Sequence, residues 1–136
     1  MLIEGERLHM KRYTAKELEN LGYKLENALI KNVDISMADH GCVTLSIELN
    51  GGGWGCVFGG YCLGHGYLGA SEFDGSGKGM ESIARIMDVV GVSYFNSMKG
   101  KYIRVAVKDW CSPIKIIGNI IKDQWFDIES FFGDEE

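Results

Sequence analysis

The sequence predicts an α+β fold: a mostly antiparallel five-stranded sheet, one long helix packed on a face, and a short N-terminal helix. Three observations carry this. Val43, Leu45, Ile47 and Leu49 alternate with Thr44, Ser46, Glu48 and Asn50, the two-residue period of a half-buried strand. The turn-rich stretches on either side of that run are too short for a crossover helix, so its neighbours must be hairpin partners. Residues 78–90 carry an apolar stripe of Met80, Ile83, Met87 and Val90 at helical spacing, ended by Gly91.

In chain order, Thr14 and Glu17 have capping-box spacing and open a helix with Leu18 and Leu21 on one face and Gly22 as its stop. From residue 29, Leu29, Val33, Ile35 and Met37 face one way, against Ile30, Asn32, Asp34 and Ser36. Asp39-His40-Gly41 is turn chemistry, with the glycine free to take positive φ. The clean alternation of residues 43–49 follows, then a second turn at Asn50-Gly51-Gly52-Gly53. Residues 54–63 read as a third strand, bulged where Gly55, Gly59 and Gly60 weaken it. Residues 64–77 read as a long loop, and residues 92–98 as one helical or irregular turn. Ile103, Val105 and Val107 form a fourth strand and residues 114–122 a fifth. The aromatic tail, with Trp125, Phe126, Phe131 and Phe132, docks as a short helix or cap.

Composition sets the class. With 136 residues, 46% hydrophobic and 24% charged, the chain is one domain spanning 1–136, with residues 1–12 and 133–136 loosely ordered. That much apolar material excludes an intrinsically disordered chain. No apolar run approaches the ~20 residues that span a bilayer, and the start lacks a signal-peptide core, so a soluble cytoplasmic protein without a membrane partner is expected. Net charge is −5, and no Lys or Arg occurs between Lys31 and Lys78, which argues against nucleic acid. Twelve of the 19 glycines fall between Gly51 and Gly79, interleaved with Trp54, Phe58, Tyr61 and Phe73, so this region is structured.

The run MADHGCVTLSIELNGGGWGCVFGGYCLG, with RIMDVVGV and IGNIIKDQWFD further on, resembles a family of small phage- and prophage-encoded proteins of unassigned function. The resemblance covers roughly residues 27–127. It implies an accessory viral gene product acting in the host cytoplasm, of the size of proteins that inhibit host defence, anti-CRISPR inhibitors included. It carries over no catalytic residues.

Candidate chemistry is sparse. Gly75-Ser76-Gly77-Lys78-Gly79 lacks P-loop spacing but places N–H groups and Lys78 at a helix start, where an anion could sit. His40, Cys42, Cys56, Cys62 and His65 form no closely spaced ligand pairs, so no metal or cofactor is assigned. Cys56 and Cys62 share parity with Trp54 and Phe58, as small core residues would. Since the third strand runs back, Tyr61 and His65 should return near Asp39 and His40, whereas Trp54 lies at the far end and is structural. Ligand or partner binding is therefore expected at Asp39, His40, Gly41, Gly59, Gly60, Tyr61, His65, Tyr67 and Lys78, with no catalytic residue named. The expected function is non-enzymatic inhibition, by binding a host defence protein or sequestering a small nucleotide-like signal, with self-association left open. The alternative is a small enzyme acting on a nucleotide-like metabolite through Asp39, His40 and a cysteine.

Overall fold

The computed structural model describes residues 12–67 and 72–133; most of the two termini expected to be loosely ordered therefore lies outside the described residues. Among the described residues the fold is α+β, with three helices and a curled antiparallel sheet of seven strands where five were expected. Helix α1 (Ala15–Asn20) is followed by β1 (Lys24–Asp39), β2 (Cys42–Asn50), β3 (Gly55–Tyr67) and β4 (Glu72–Gly75). Helix α2 (Gly77–Val90) and a 3-10 turn (Phe95–Met98) lead to β5 (Tyr102–Val107), β6 (Ile116–Gly118), β7 (Trp125–Asp127) and helix α3 (Ile128–Gly133). The strand order is β4-β3-β2-β1-β5-β6-β7. No helix among the described residues is long and apolar enough to cross a membrane.

Strand β1 organises the sheet. Its first part, which the sequence reading left outside any strand, pairs with β5 from Lys24↔Val107 to Leu29↔Tyr102, and its remainder pairs with β2. The sheet curls until β3 meets the chain around β6, with three strands between them in the order. Trp54 touches Trp110 of the β5–β6 connection at 5.1 Å between ring centroids, and Tyr61 stacks on Phe132 at 4.7 Å. Helix α2 fills the concave side, packing on β3, β6, β7 and α3. Phe58, Ile47, Ile86, Ile117 and Phe126 sit at the centre of this core. A second cluster of Leu18, Ala106, Ile116 and Trp125 lies on the opposite side of β6, under α1.

Local chemistry behaves as expected at the Thr14 and Gly91 caps, and Ser76 adds a cap that was not expected. Thr14 and Glu17 form both halves of the capping box, Ser76 accepts from the Gly79 N–H at 2.8 Å, and Gly91 ends α2 in the left-handed conformation. The face assignments need correction. A bulge between Ile30 and Asn32 re-phases β1, so Ile30 is fully buried on the face that also carries Val33. Leu45, Ile47 and Leu49 are buried, but Ile35 and Met37 are 47% and 45% exposed, at an end of β1 that β5, which pairs only with residues 24–29, does not reach. On α2 the buried face is Gly79, Ser82, Ile86, Val89 and Val90, while Met80 is exposed. The helix turns this way because Gly79 lies against the backbone of Leu63, where a Cβ would approach Cα to 2.6 Å. Leu21 is likewise exposed, leaving Leu18 as the buried residue of α1. The expected loop after residue 63 holds the end of β3 and all of β4, the expected fifth strand shrinks to β6, and the tail adds β7 before α3.

Tyr13, beneath α1, directs its hydroxyl at the Asp127 carboxylate 3.4 Å away. Burial chiefly, with the Asp127 charge adding, pushes its pKa from 10.0 up to about 12. A raised acid pKa stabilises the fold fully below the unfolded value, and that contribution is lost as pH climbs through the folded one. Urea midpoints are therefore expected to fall between about pH 10 and about pH 12, and to fall less in Tyr13→Phe.

Candidate functional site

Two places bring the expected site residues together. The first is the end of the sheet at the β1–β2 turn. His40 and Gly41 both take positive φ (48° and 81°), so Asp39 and Cys42 close a two-residue hairpin of the type whose twist suits antiparallel strands. Cys42 then pairs with His65 of β3, and His65 with Asp74 of β4. Gly66 donates from its N–H to the Gly41 carbonyl at 3.0 Å, tying β3 to the turn. His65 therefore returns beside the turn as expected, next to Cys42. Tyr67 ends β3 opposite Glu72; the side chains of Asp39 and Tyr67 lie outside the described part. His40 and His65 are both solvent-exposed.

The second place is the middle of β3. Two register shifts interrupt its pairing with β2, one on either side of Thr44. Gly59 occupies the shift facing Ser46: its φ is +112°, and a Cβ there would come within 2.5 Å of the Leu45 carbonyl oxygen, so only glycine fits. These bulges turn Tyr61 inward onto Phe132 and leave Cys62 exposed, against the core position its parity suggested. Tyr61 consequently stands apart from the turn, at the bulge. Gly60 faces open space. Beyond it lies a cleft of about 230 Å³, walled by Val57, Gly59, Gly60 and Tyr61 on one side and by Pro113, Ile114, Lys115 and Ile128 on the other. Burial raises the Tyr61 pKa, opposed by the Lys115 ammonium beside it, and Lys115 itself pairs with Glu129 at 2.8 Å.

Among the described residues β4 pairs only with residues 64–67 of β3, and the Leu63 carbonyl accepts from the Ser76 N–H at 2.9 Å, so on that side residues 55–62 have no strand partner. An unpaired edge offers main-chain donors and acceptors to another chain. Lys78 belongs to neither place: its ammonium lies 5.0 Å from the Phe131 ring centroid, and the helix N-terminus it was expected to serve is already capped by Ser76. Trp54 is half-buried against the core and Trp110, which fits a structural role. No group of three or more His, Cys, Asp or Glu side chains among the described residues is placed to hold a metal ion. The sequence reading missed the second wall of the cleft, and Asp74, because both meet β3 only through the curl and the register of the sheet.

No known protein family, curated protein or solved structure matches the chain.

Proposed function

We propose that this chain is a non-enzymatic accessory protein of a phage or prophage, which inhibits a host defence protein by binding it. The observation that supports binding, and a protein as the target, is the unpaired edge of β3 beside its cleft. An extended segment of a partner adds to such an edge through main-chain hydrogen bonds, while side chains enter the adjoining hollow. The hollow is lined by Val57, Pro113, Ile114 and Ile128, which suit an aliphatic side chain. A nucleotide-like signal would call for cations aimed into the cleft, and Lys115 is already paired with Glu129.

Val57 is 61% exposed along this edge, so Val57→Lys blocks strand addition without touching the core. Affinity capture from a bacterial host lysate, followed by mass spectrometry of proteins and small molecules, is expected to retain a host protein on the unmodified chain. Val57→Lys should lose that protein while melting at the same temperature. Equal retention by both chains, or retention of a small molecule alone, would contradict the reading.

A further inference from the structure

We propose that Cys42 is a nucleophilic thiol that exchanges with low-molecular-weight disulfides, with His65 taking its proton and Asp74 positioning His65. The register carries this. Cys42↔His65 and His65↔Asp74 are directly opposite pairs, so the thiol, the imidazole and the carboxylate form a row across β2, β3 and β4 on one sheet face. Directly opposite Cβ atoms stand about 4.5–5.5 Å apart, so rotation about the side-chain bonds can bring the thiol to one ring nitrogen and the carboxylate to the other, although the three side chains are not hydrogen-bonded to one another in the structure. This is the order of nucleophile, base and orienting acid found in activated thiols. The face is the outer one: Val43 and Phe73, which alternate with Cys42 and Asp74, belong to the concave side, where Phe73 lies against Gly64. Cys42 is half-exposed, and His65 and Asp74 are exposed, so a small disulfide has access.

In the exchange, the Cys42 thiol gives its proton to His65 and the thiolate attacks one sulfur of the disulfide. A bond forms between Sγ and that sulfur as the original sulfur–sulfur bond breaks. The departing thiolate takes the proton back from the imidazolium. Cys42 is oxidised to a mixed disulfide, and one half of the reagent is reduced to a thiol. The other cysteines differ in setting. Cys56 is half-buried with its pKa raised by desolvation, Cys62 donates to the Gly64 carbonyl at 3.2 Å, and Cys111 is exposed on the β5–β6 connection. The described ionisable groups around Cys42 are His65, Asp74 and Glu72 on the neighbouring strands and His40 in the turn; Asp39 is its backbone partner in β1.

Oxidised glutathione is the probe, added to the full chain, with mixed disulfide at each cysteine quantified by peptide mass spectrometry across about pH 6–8. Cys42 is expected to react first, about tenfold faster than Cys111. His65→Asn should lower the Cys42 rate roughly tenfold, leaving the Cys111 rate and the melting temperature unchanged. Asp74→Asn should move the midpoint of the Cys42 pH profile upward, and Asp74→Glu should restore it. The proposal is overturned if Cys62 or Cys111 reacts as fast as Cys42, or if Cys42 keeps its rate in His65→Asn.

Discussion

Ile86→Asp is expected to leave the chain unfolded at room temperature. Ile86 is fully buried where α2 meets the concave face of the sheet. A carboxylate placed there loses its hydration and gains no partner, at a cost of several kcal/mol. Domains of this size are stable by only about 5–15 kcal/mol, so little would remain. Met80→Asp, on the same helix at a position 68% exposed, should melt like the unsubstituted chain. Circular dichroism melts of the two variants decide which face of α2 is buried. Loss of structure in Met80→Asp with Ile86→Asp intact would reverse the assignment.

Phe58→Ala should cost about 3–5 kcal/mol in urea unfolding, the range for emptying a buried aromatic site. Phe58 is fully buried, pairs with Ile47 across β2 and β3, and belongs to the cluster that includes Ile86 and Phe126. It also precedes the Gly59 bulge, whose backbone lies hard against Leu45 and cannot move in to close a cavity. The neighbouring change Val57→Ala, on the exposed side of the strand, should stay within about 0.5 kcal/mol. A small loss in Phe58→Ala would mean that the concave core lies elsewhere.

What the sequence disclosed of this architecture was its local part. The β1–β2 and β2–β3 hairpins were legible because alternation and turn chemistry are both written in consecutive residues. The bounds of α2 were legible from its stripe and its terminal glycine, but its facing was not. Gly79 and Ser82 are buried there by close approach to Leu63 rather than by hydrophobicity, which no apolar pattern records. Strand β4 was invisible because all four of its residues are exposed, and β7 because all three of its residues are buried and show no alternation; β6 was expected but overlong, since its three residues are likewise all buried and mark no end to the run. For the candidate sites, Gly59, Gly60 and His65 stood out by residue type. Their counterparts Asp74 and Lys115 did not, since strand register and sheet curvature bring them near and neither is encoded at short range.

The division of β1 between two partners also sets the order in which the chain can assemble. Its C-terminal part meets β2 across a two-residue turn, a contact that closes quickly. Its N-terminal part must wait for β5, because pairing Leu29 with Tyr102 closes a loop holding β2, β3, β4 and α2. A nascent chain therefore carries a β1–β2–β3 meander whose hydrophobic face only α2 can cover, and only in part, until β5 and its successors have been made. Amide exchange during refolding should protect residues 43–49 of β2 before residues 102–107 of β5. Chains truncated before β5 should expose Leu45, Ile47 and Phe58 to solvent and aggregate.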